Sequence, residues 1–206
     1  MSEANPVLPL GYSPVPPGHV AAVVTSLEML SRPPLRPARP FPLGVELQPL
    51  ERSIETYRNL YSEVGRDWLW FSRLIMPDHQ LKAIIEDPDV HIWALRKDGR
   101  DVGILELDFR KPGECELAFF GLAAELIGTG VGRTLMNEAT TRAWSRPIKR
   151  FWVHTCTLDH PAALDFYQRS GFRPYAFQVE VAPDPRLTGA MPRDCSKHVP
   201  LLDKRG

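Results

Sequence analysis

The chain has 206 residues, 43% hydrophobic and 24% charged, enough for one domain with a substantial core plus tails. Its 25 Lys+Arg balance 25 Asp+Glu, so no global charge favours nucleic acid or an anionic membrane as a partner. The N-terminus carries no basic segment ahead of an apolar stretch, and no apolar run approaches the ~18 residues that span a bilayer, so a cytoplasmic location is expected. Cys115, Cys156 and Cys195 are odd in number and form no CxxC pair, and the six histidines form no HExxH. Neither a disulfide framework nor a metal site is expected.

Residues 1–18 are rich in Pro and Gly and predict an irregular arm. The apolar, β-branched run 20–29 reads as a first strand. Segment 31–42 (SRPPLRPARPFP) cannot hold regular structure, because its prolines remove donors and fix φ, and its three arginines read as solvated. Residues 51–64 place Ile54, Tyr57 and Tyr61 on one helical face. Segment 67–76 (DWLWFSRLIM) also reads as helical, and Asp78 as the cap of a third helix over 79–86, ended by Asp87-Pro88. Two β-rich runs over 90–110 flank Lys97-Asp98-Gly99-Arg100, a hairpin signal in which Asp-Gly supplies positive φ. Residues 113–122 form another strand, 128–145 a helix with Val131, Leu135, Ala139 and Ala143 four apart, and 150–157 a strand. A short helix over 160–171 has Pro161 in its first turn and Gly171 at its end. Residues 172–181 close as a strand, followed by a Pro-containing tail, loose or draped over the surface. The resulting order predicts an α/β (α+β) single domain over 19–182, built on one mixed sheet and followed by a tail over 183–206.

The stretch IGTGVGRTLM, 127–136, carries glycine at every second position ahead of a helix. Glycine removes side chains that would keep a ligand off the backbone and permits turns that a Cβ forbids. The first N–H groups of the helix lack intrahelical partners, and the dipole is positive there. Strand, glycine turn and helix start together make an anion site. A plain, tightly packed helix start is the alternative reading. The GxxxxGK[ST] pattern fails because its sixth position is Arg133, and GxGxxG fails at Arg133 and again at Leu135.

A second constellation, FYQRSGF at 166–172, follows the strand RFWVHTCT. Together the two motifs resemble the Gcn5-related N-acetyltransferase (GNAT) superfamily, over about residues 90–180, with a weaker likeness before that. The family's [QR]xxGxGx[GA] segment is matched by Ile127, Gly128, Thr129, Gly130, Val131 and Gly132, with Ile127 where Gln or Arg is usual. Ala124 stands where Pro is frequent, and His160 near the family's helix-starting Asn. The resemblance implies a GNAT-like mixed, mostly antiparallel sheet of six to seven strands flanked by helices. It implies acetyl-CoA as acyl donor, its pyrophosphate on the N–H groups of residues 128–133. Arg133 adds charge in this reading; a solvent-facing helix arginine is the alternative.

Acetyl transfer to an amine needs a neutral amine, a donor for the oxyanion, a proton for the thiolate and close positioning. Tyr167, at the family's tyrosine position, is the expected proton donor; a half-buried core tyrosine is the alternative. Glu116, at the distance from the turn where some family members carry a base glutamate, is the expected general base, with Glu114 and His154 as weaker candidates and a water chain beside a solvated strand-end glutamate as the alternative. Alternation places Glu116 on one face with Ala118, Phe120 and Leu122, opposite Leu117 and Phe119. The resemblance also implies a backbone N–H at a bulge near Gly121-Leu122 as oxyanion donor, and Trp68, Trp70 and Phe71 as an acceptor wall, with all three aromatics in the core as the alternative. The cysteines are badly placed for a covalent relay. The expected activity is direct acetyl transfer to a primary amine of a small molecule or peptide, with a homodimer possible. Two other readings stay open: a catalytically silent acyl-CoA sensor, and an acyltransferase using a longer acyl-CoA.

Overall fold

The computed structural model describes residues 7–203, so the first six residues of the expected N-terminal arm lie outside it. The β-rich runs pair into one seven-stranded sheet: β1 (His19–Met29), β2 (Val45–Pro49), β3 (Val90–Lys97), β4 (Arg100–Asp108), β5 (Glu114–Leu122), β6 (Arg150–Cys156) and β7 (Arg173–Pro183). The spatial order is β2-β3-β4-β5-β6-β1-β7. Every neighbouring pair is antiparallel except β5 and β6. The first strand in the chain therefore lies between β6 and β7, far from β2.

β2 is a strand that the sequence reading passed over. It is short, follows the proline-rich loop and itself ends in Pro49, a residue tolerated only where no ladder donor is needed. It lies at the sheet edge, against β3. The β3–β4 hairpin turns through Asp98 (φ 49°) and Gly99 (φ 82°), as the Asp-Gly pair predicts.

Alternation along the strands divides two cores. On one face, α1 (Ile54–Gly65) and α3 (Asp78–Ile85) bury Tyr57, Leu60, Tyr61, Leu81 and Ile85 against Ala94 and Ile104. On the other, α4 (Val131–Ala143) and α5 (Ala163–Arg169) lie over Leu105, Leu107, Leu117, Phe151 and Val153. The four-residue spacing of Val131, Leu135, Ala139 and Ala143 is the buried stripe of α4.

Three local expectations change. Segment 67–76 is not one helix: a 3-10 turn over Arg66–Trp68 is broken at Leu69 (φ 52°) before the single turn α2 (Ser72–Ile75). The break folds Trp70 back onto the end of α1, where a Cβ on Gly65 would lie 2.4 Å from the Trp70 Cβ. Asp78 does not cap α3; it sits inside the helix and pairs with Arg58 at 2.8 Å. Pro161 precedes α5, and the turn there is held instead by His160 Nδ1, which accepts from the Ala162 N–H at 3.1 Å.

Beyond β7 the chain is packed. Asp184 and Arg186 form a buried ion pair at 2.7 Å, the Arg186 guanidinium also donates to the Val199 carbonyl at 2.9 Å, and Met191 and Cys195 bury against Val20 and Leu69.

Candidate active site: a cleft between splayed strands

β5 and β6 run parallel and pair only over residues 114–116 and 150–152. Beyond Glu116 they diverge, and a cleft of about 770 Å³ opens between them. Residues 117–122 form one wall, and Val153, His154 and Cys156 the other. Because the opening passes through the sheet, it joins the α4/α5 side to the α1/α2 side. The β5 backbone groups that face β6 here have no strand partner.

On the α4 side the cleft is floored by the glycine turn. Gly128 (φ 79°) and Gly130 (φ 90°) occupy left-handed backbone that only glycine adopts cheaply. A Cβ built on either would meet nothing within 4 Å, so their role is the turn itself and the open space above it. The Thr129 hydroxyl donates to the Leu126 carbonyl at 2.7 Å and receives the Val131 N–H at 3.5 Å; the Arg133 N–H goes to the Gly130 carbonyl at 3.1 Å. The N–H groups of Gly128, Gly130 and Gly132 have no protein acceptor among the described residues. Leu122 and Ile127 line the adjoining wall.

Tyr167 of α5 is 7% exposed and lines the same cleft, ringed edge-on by Phe120, Phe166 and Phe172. Its hydroxyl makes no hydrogen bond within the protein among the described residues. Burial, and then the Asp159 charge, push its pKa far above that of a free phenol, so it holds its proton.

Glu116 stands where the strands part. Burial, followed by the charges of Asp108 and Glu106, raises its carboxyl from 4.5 to about 7. His154 Nδ1 lies 3.7 Å from its Oε1. The face assignment around Glu116 needs correction. The β4–β5 register slips between Glu106/Phe119 and Leu107/Leu117, leaving Ala118 as the extra residue of a bulge. Alternation restarts there: Glu116 and Phe119 face the α1 side, whereas Leu117, Phe120 and Leu122 pack on the α4 side. The bulge is thus at Ala118 and not near Gly121. Gly121 is required for a different reason, since a Cβ there would lie 2.4 Å from Val64 Cγ1 and 3.0 Å from Trp70 Cη2.

Trp68, Trp70 and Phe71 all line the cleft, as does the buried Leu69 at the break between them. Trp70 packs on Tyr61 and Phe119, with centroids 5.5 and 5.3 Å apart, and its indole N–H donates to Asp159 Oδ1 at 3.0 Å. Trp68 lies between His160 and His198. His160 reaches the cleft rim, with its Nδ1 engaged in the turn.

Several cleft residues carried no sequence signal. Asp159 accepts from Trp70, from the Thr155 hydroxyl at 2.8 Å and from the Cys156 N–H at 2.9 Å. Below Phe119, Glu106 is fully buried and accepts from Tyr57 at 2.6 Å and Arg73 at 2.9 Å. Burial raises the Glu106 pKa even against these two partners. Their positions in sequence lie far apart, and only the sheet brings them together. Cys115 is wholly buried and its thiol pKa is pushed up by burial; Cys156, half-buried, is raised to about 11. Neither is poised as a thiolate nucleophile. Among the described residues no cluster of His, Cys, Asp and Glu could hold a metal ion, and no helix is long and apolar enough to cross a membrane.

The gap in the splayed sheet is thus lined by both the glycine turn and the buried Tyr167. Residues 55–172 match the family described as "Acetyltransferase (GNAT) family", more than half of the chain, and the protein belongs to that family. Among solved structures, a functionally unknown conserved protein from Staphylococcus epidermidis is similar at TM-score 0.57 and 18% identity, over 81% of this chain and 63% of that one. A GCN5-related N-acetyltransferase from Kribbella flavida matches at TM-score 0.50 and 21% identity, over 84% of this chain and 63% of that one. A GNAT family acetyltransferase from Elizabethkingia anophelis, with acetyl-CoA bound, matches at TM-score 0.50 and 13% identity, over 66% of this chain and 80% of that one. This chain thus spans less than two thirds of the length of the first two structures. No curated protein matches the sequence.

Proposed function

We propose that the protein transfers an acetyl group from acetyl-CoA directly to the primary amine of a small molecule or peptide. One observation carries this reading: the glycine turn, Tyr167 and Glu116 all line a single cleft that passes through the sheet. The unpartnered N–H groups of Gly128, Gly130 and Gly132, at a positive helix end with open space above them, fit a pyrophosphate. When bound there, acetyl-CoA supplies an activated thioester.

The protein's own groups do the rest. Glu116, with its carboxyl near neutrality, takes a proton from the acceptor ammonium and leaves the lone pair free to attack. Unpaired β5 N–H groups beyond Glu116 donate to the oxygen that gains charge. Tyr167 keeps its proton at neutral pH and gives it to the departing sulfur as the C–S bond breaks, and the second proton lost by the attacking nitrogen returns to the tyrosinate, so an amide, a free thiol and a restored Tyr167 are formed. Trp68, Trp70 and Phe71, with Tyr61 and Phe119, form an apolar wall that excludes water around the amine. The buried thiols favour direct transfer over a cysteine relay.

The test is a panel of primary amines and peptides with acetyl-CoA, followed by thiol release. Turnover on at least one amine is the expected outcome. Tight CoA binding with no turnover on any amine supports the silent sensor instead. A rate that rises from acetyl- to longer acyl-CoA supports a longer donor. A homodimer through β7 belongs to the same reading. β7 is one of the two sheet edges, and Phe177 is 70% exposed there beside Val179 and Val181. Sedimentation of the wild type against Phe177→Lys tests it: a dimer that becomes a monomer is expected.

A further inference from the structure

The proline-rich segment 31–42 reads as a solvated loop, yet it is strapped across the two helices that flank the glycine turn. Three α4 side chains hold its backbone. Arg133 Nη1 donates to the Pro37 carbonyl at 3.2 Å, Thr134 Oγ1 to that of Arg39 at 2.7 Å, and Asn137 Nδ2 to that of Arg36 at 2.8 Å. At its other end Pro33 packs on Gly171, just past α5, where an added Cβ would lie 3.0 Å from the Pro33 Cβ. With prolines at 33, 34, 37, 40 and 42, the strap has few backbone states to lose, so these few bonds fix it.

The strap delivers Arg36 to the cleft, where it lines the same wall as Arg133 of α4 and Arg169 of α5, beside Gly128, Gly130 and Gly132. Three guanidiniums from three separate segments converge on one rim. Arg36 and Arg133 have no carboxylate partner among the described residues, and Arg169 has only the exposed Asp165 at 3.5 Å. Partial burial, and then the charges of Arg133 and Arg169, hold the Arg36 pKa below its ordinary value, which marks the crowding of like charge. Such crowding costs free energy unless an anion occupies the space between the groups.

We propose that Arg36, Arg133 and Arg169 form a second anion site beside the glycine turn, which takes the ribose 3′-phosphate monoester of coenzyme A. This rests on the acyl-CoA reading above. The glycine N–H groups and the helix end supply partial charge, roughly half a unit, suited to the singly charged pyrophosphate oxygens. A phosphate monoester carries nearly two negative charges near neutral pH and is best met by full cations with forked donors. The trio supplies those, on the wall that also carries the glycine turn. The strap is therefore a specificity element that separates CoA from the same molecule lacking its 3′-phosphate.

Calorimetric titration with CoA and with 3′-dephospho-CoA tests this, on wild type, Arg36→Gln and Arg169→Gln. The wild type is expected to favour CoA by about tenfold, and by less as salt rises. Either variant is expected to bring the ratio of the two affinities close to one. Both side chains are at the surface and their removal leaves the strap's backbone bonds in place; circular dichroism confirms folding. Equal affinity of the wild type for both ligands overturns the second site but leaves the acyl-CoA reading standing. The same holds if the variants weaken both ligands alike, which assigns the arginines to the pyrophosphate. Binding of neither ligand to folded wild type overturns the acyl-CoA reading and this site with it.

Discussion

Trp70 and Asp159 meet across the mouth of the cleft, the indole N–H donating to the carboxylate at 3.0 Å. The bond ties the aromatic segment after α1 to the end of β6, two segments 89 residues apart. Asp159 also holds the Thr155 hydroxyl and the Cys156 N–H, so one carboxylate sets the position of the aromatic wall relative to the splayed strand. Replacing Asp159 with Ala leaves three donors without their acceptor. A loss of about 2–4 kcal/mol in stability is expected from charge-assisted bonds of this kind. The amine KM should rise while CoA affinity changes little. Urea unfolding and steady-state kinetics check both, and an unchanged amine KM would detach Trp70 from the acceptor site.

Glu116 links activity to stability in opposite directions. Its folded pKa, about 7, lies above its usual 4.5. Its contribution to stability is therefore fully present below about pH 4.5 and is lost as pH rises through about 7. Glu116→Gln removes that loss. The variant is expected to match wild type near pH 4.5 and to exceed it at pH ~8, by at most about 3 kcal/mol. Acetyl transfer should fall by roughly a hundredfold or more, and the wild-type rise of kcat/KM through pH ~7 should disappear. A variant less stable than wild type at pH ~8 would mean that the carboxylate is favourably paired there.

Tyr167→Phe removes a hydroxyl with no protein hydrogen bond and keeps the ring among Phe120, Phe166 and Phe172. Stability should stay within about 0.5 kcal/mol of wild type. The expected effect is on kcat, a loss of roughly a hundredfold, with CoA affinity retained. Full kcat in the variant would return Tyr167 to a purely structural role.

Gly130→Val places a β-branched side chain at φ 90° in open space. The cost is conformational, about 1–2 kcal/mol. CoA binding should fall far more than this cost alone explains, because the Cβ occupies the space above the N–H groups. Gly132→Ala is the control. Its Cβ would meet Leu122 Cδ1 at an ordinary 3.5 Å, and the fold should tolerate it. Calorimetry with CoA separates the two, and unchanged binding by Gly130→Val would remove the cradle.

The buried Glu106 is held by Arg73 and Tyr57 under the aromatic wall. Arg73→Met strands the carboxylate and should cost about 3–5 kcal/mol at neutral pH. Because the Glu106 pKa is already raised by burial, the variant should regain stability as pH falls and the carboxyl protonates. Thermal melts across pH 5–8 check the direction, and a pH-independent loss would contradict it.

Sequence alone determined most of the local elements of this protein and the backbone shape of its glycine turn. The Asp98-Gly99 turn, the four-residue stripe of α4 and the positive φ of Gly128 and Gly130 depend on near neighbours only, so their signals are written locally. Tyr167 and Glu116 were reached as candidate acid and base through the family resemblance, and the structure sets both against one cleft. Tertiary structure alone decided the rest. The bulge at Ala118, which turns Phe120 and Leu122 away from Glu116, is a register between two strands and leaves no mark on either. The break at Leu69 is set by close approach of Trp70 to Gly65 and Gly121. The insertion of β1 between β6 and β7, and the delivery of Arg36 to the cleft by its strap, depend on partners 95 or more residues away. Backbone preference is local and can be read along the chain; packing is a property of pairs, and pairs exist only once the chain is folded.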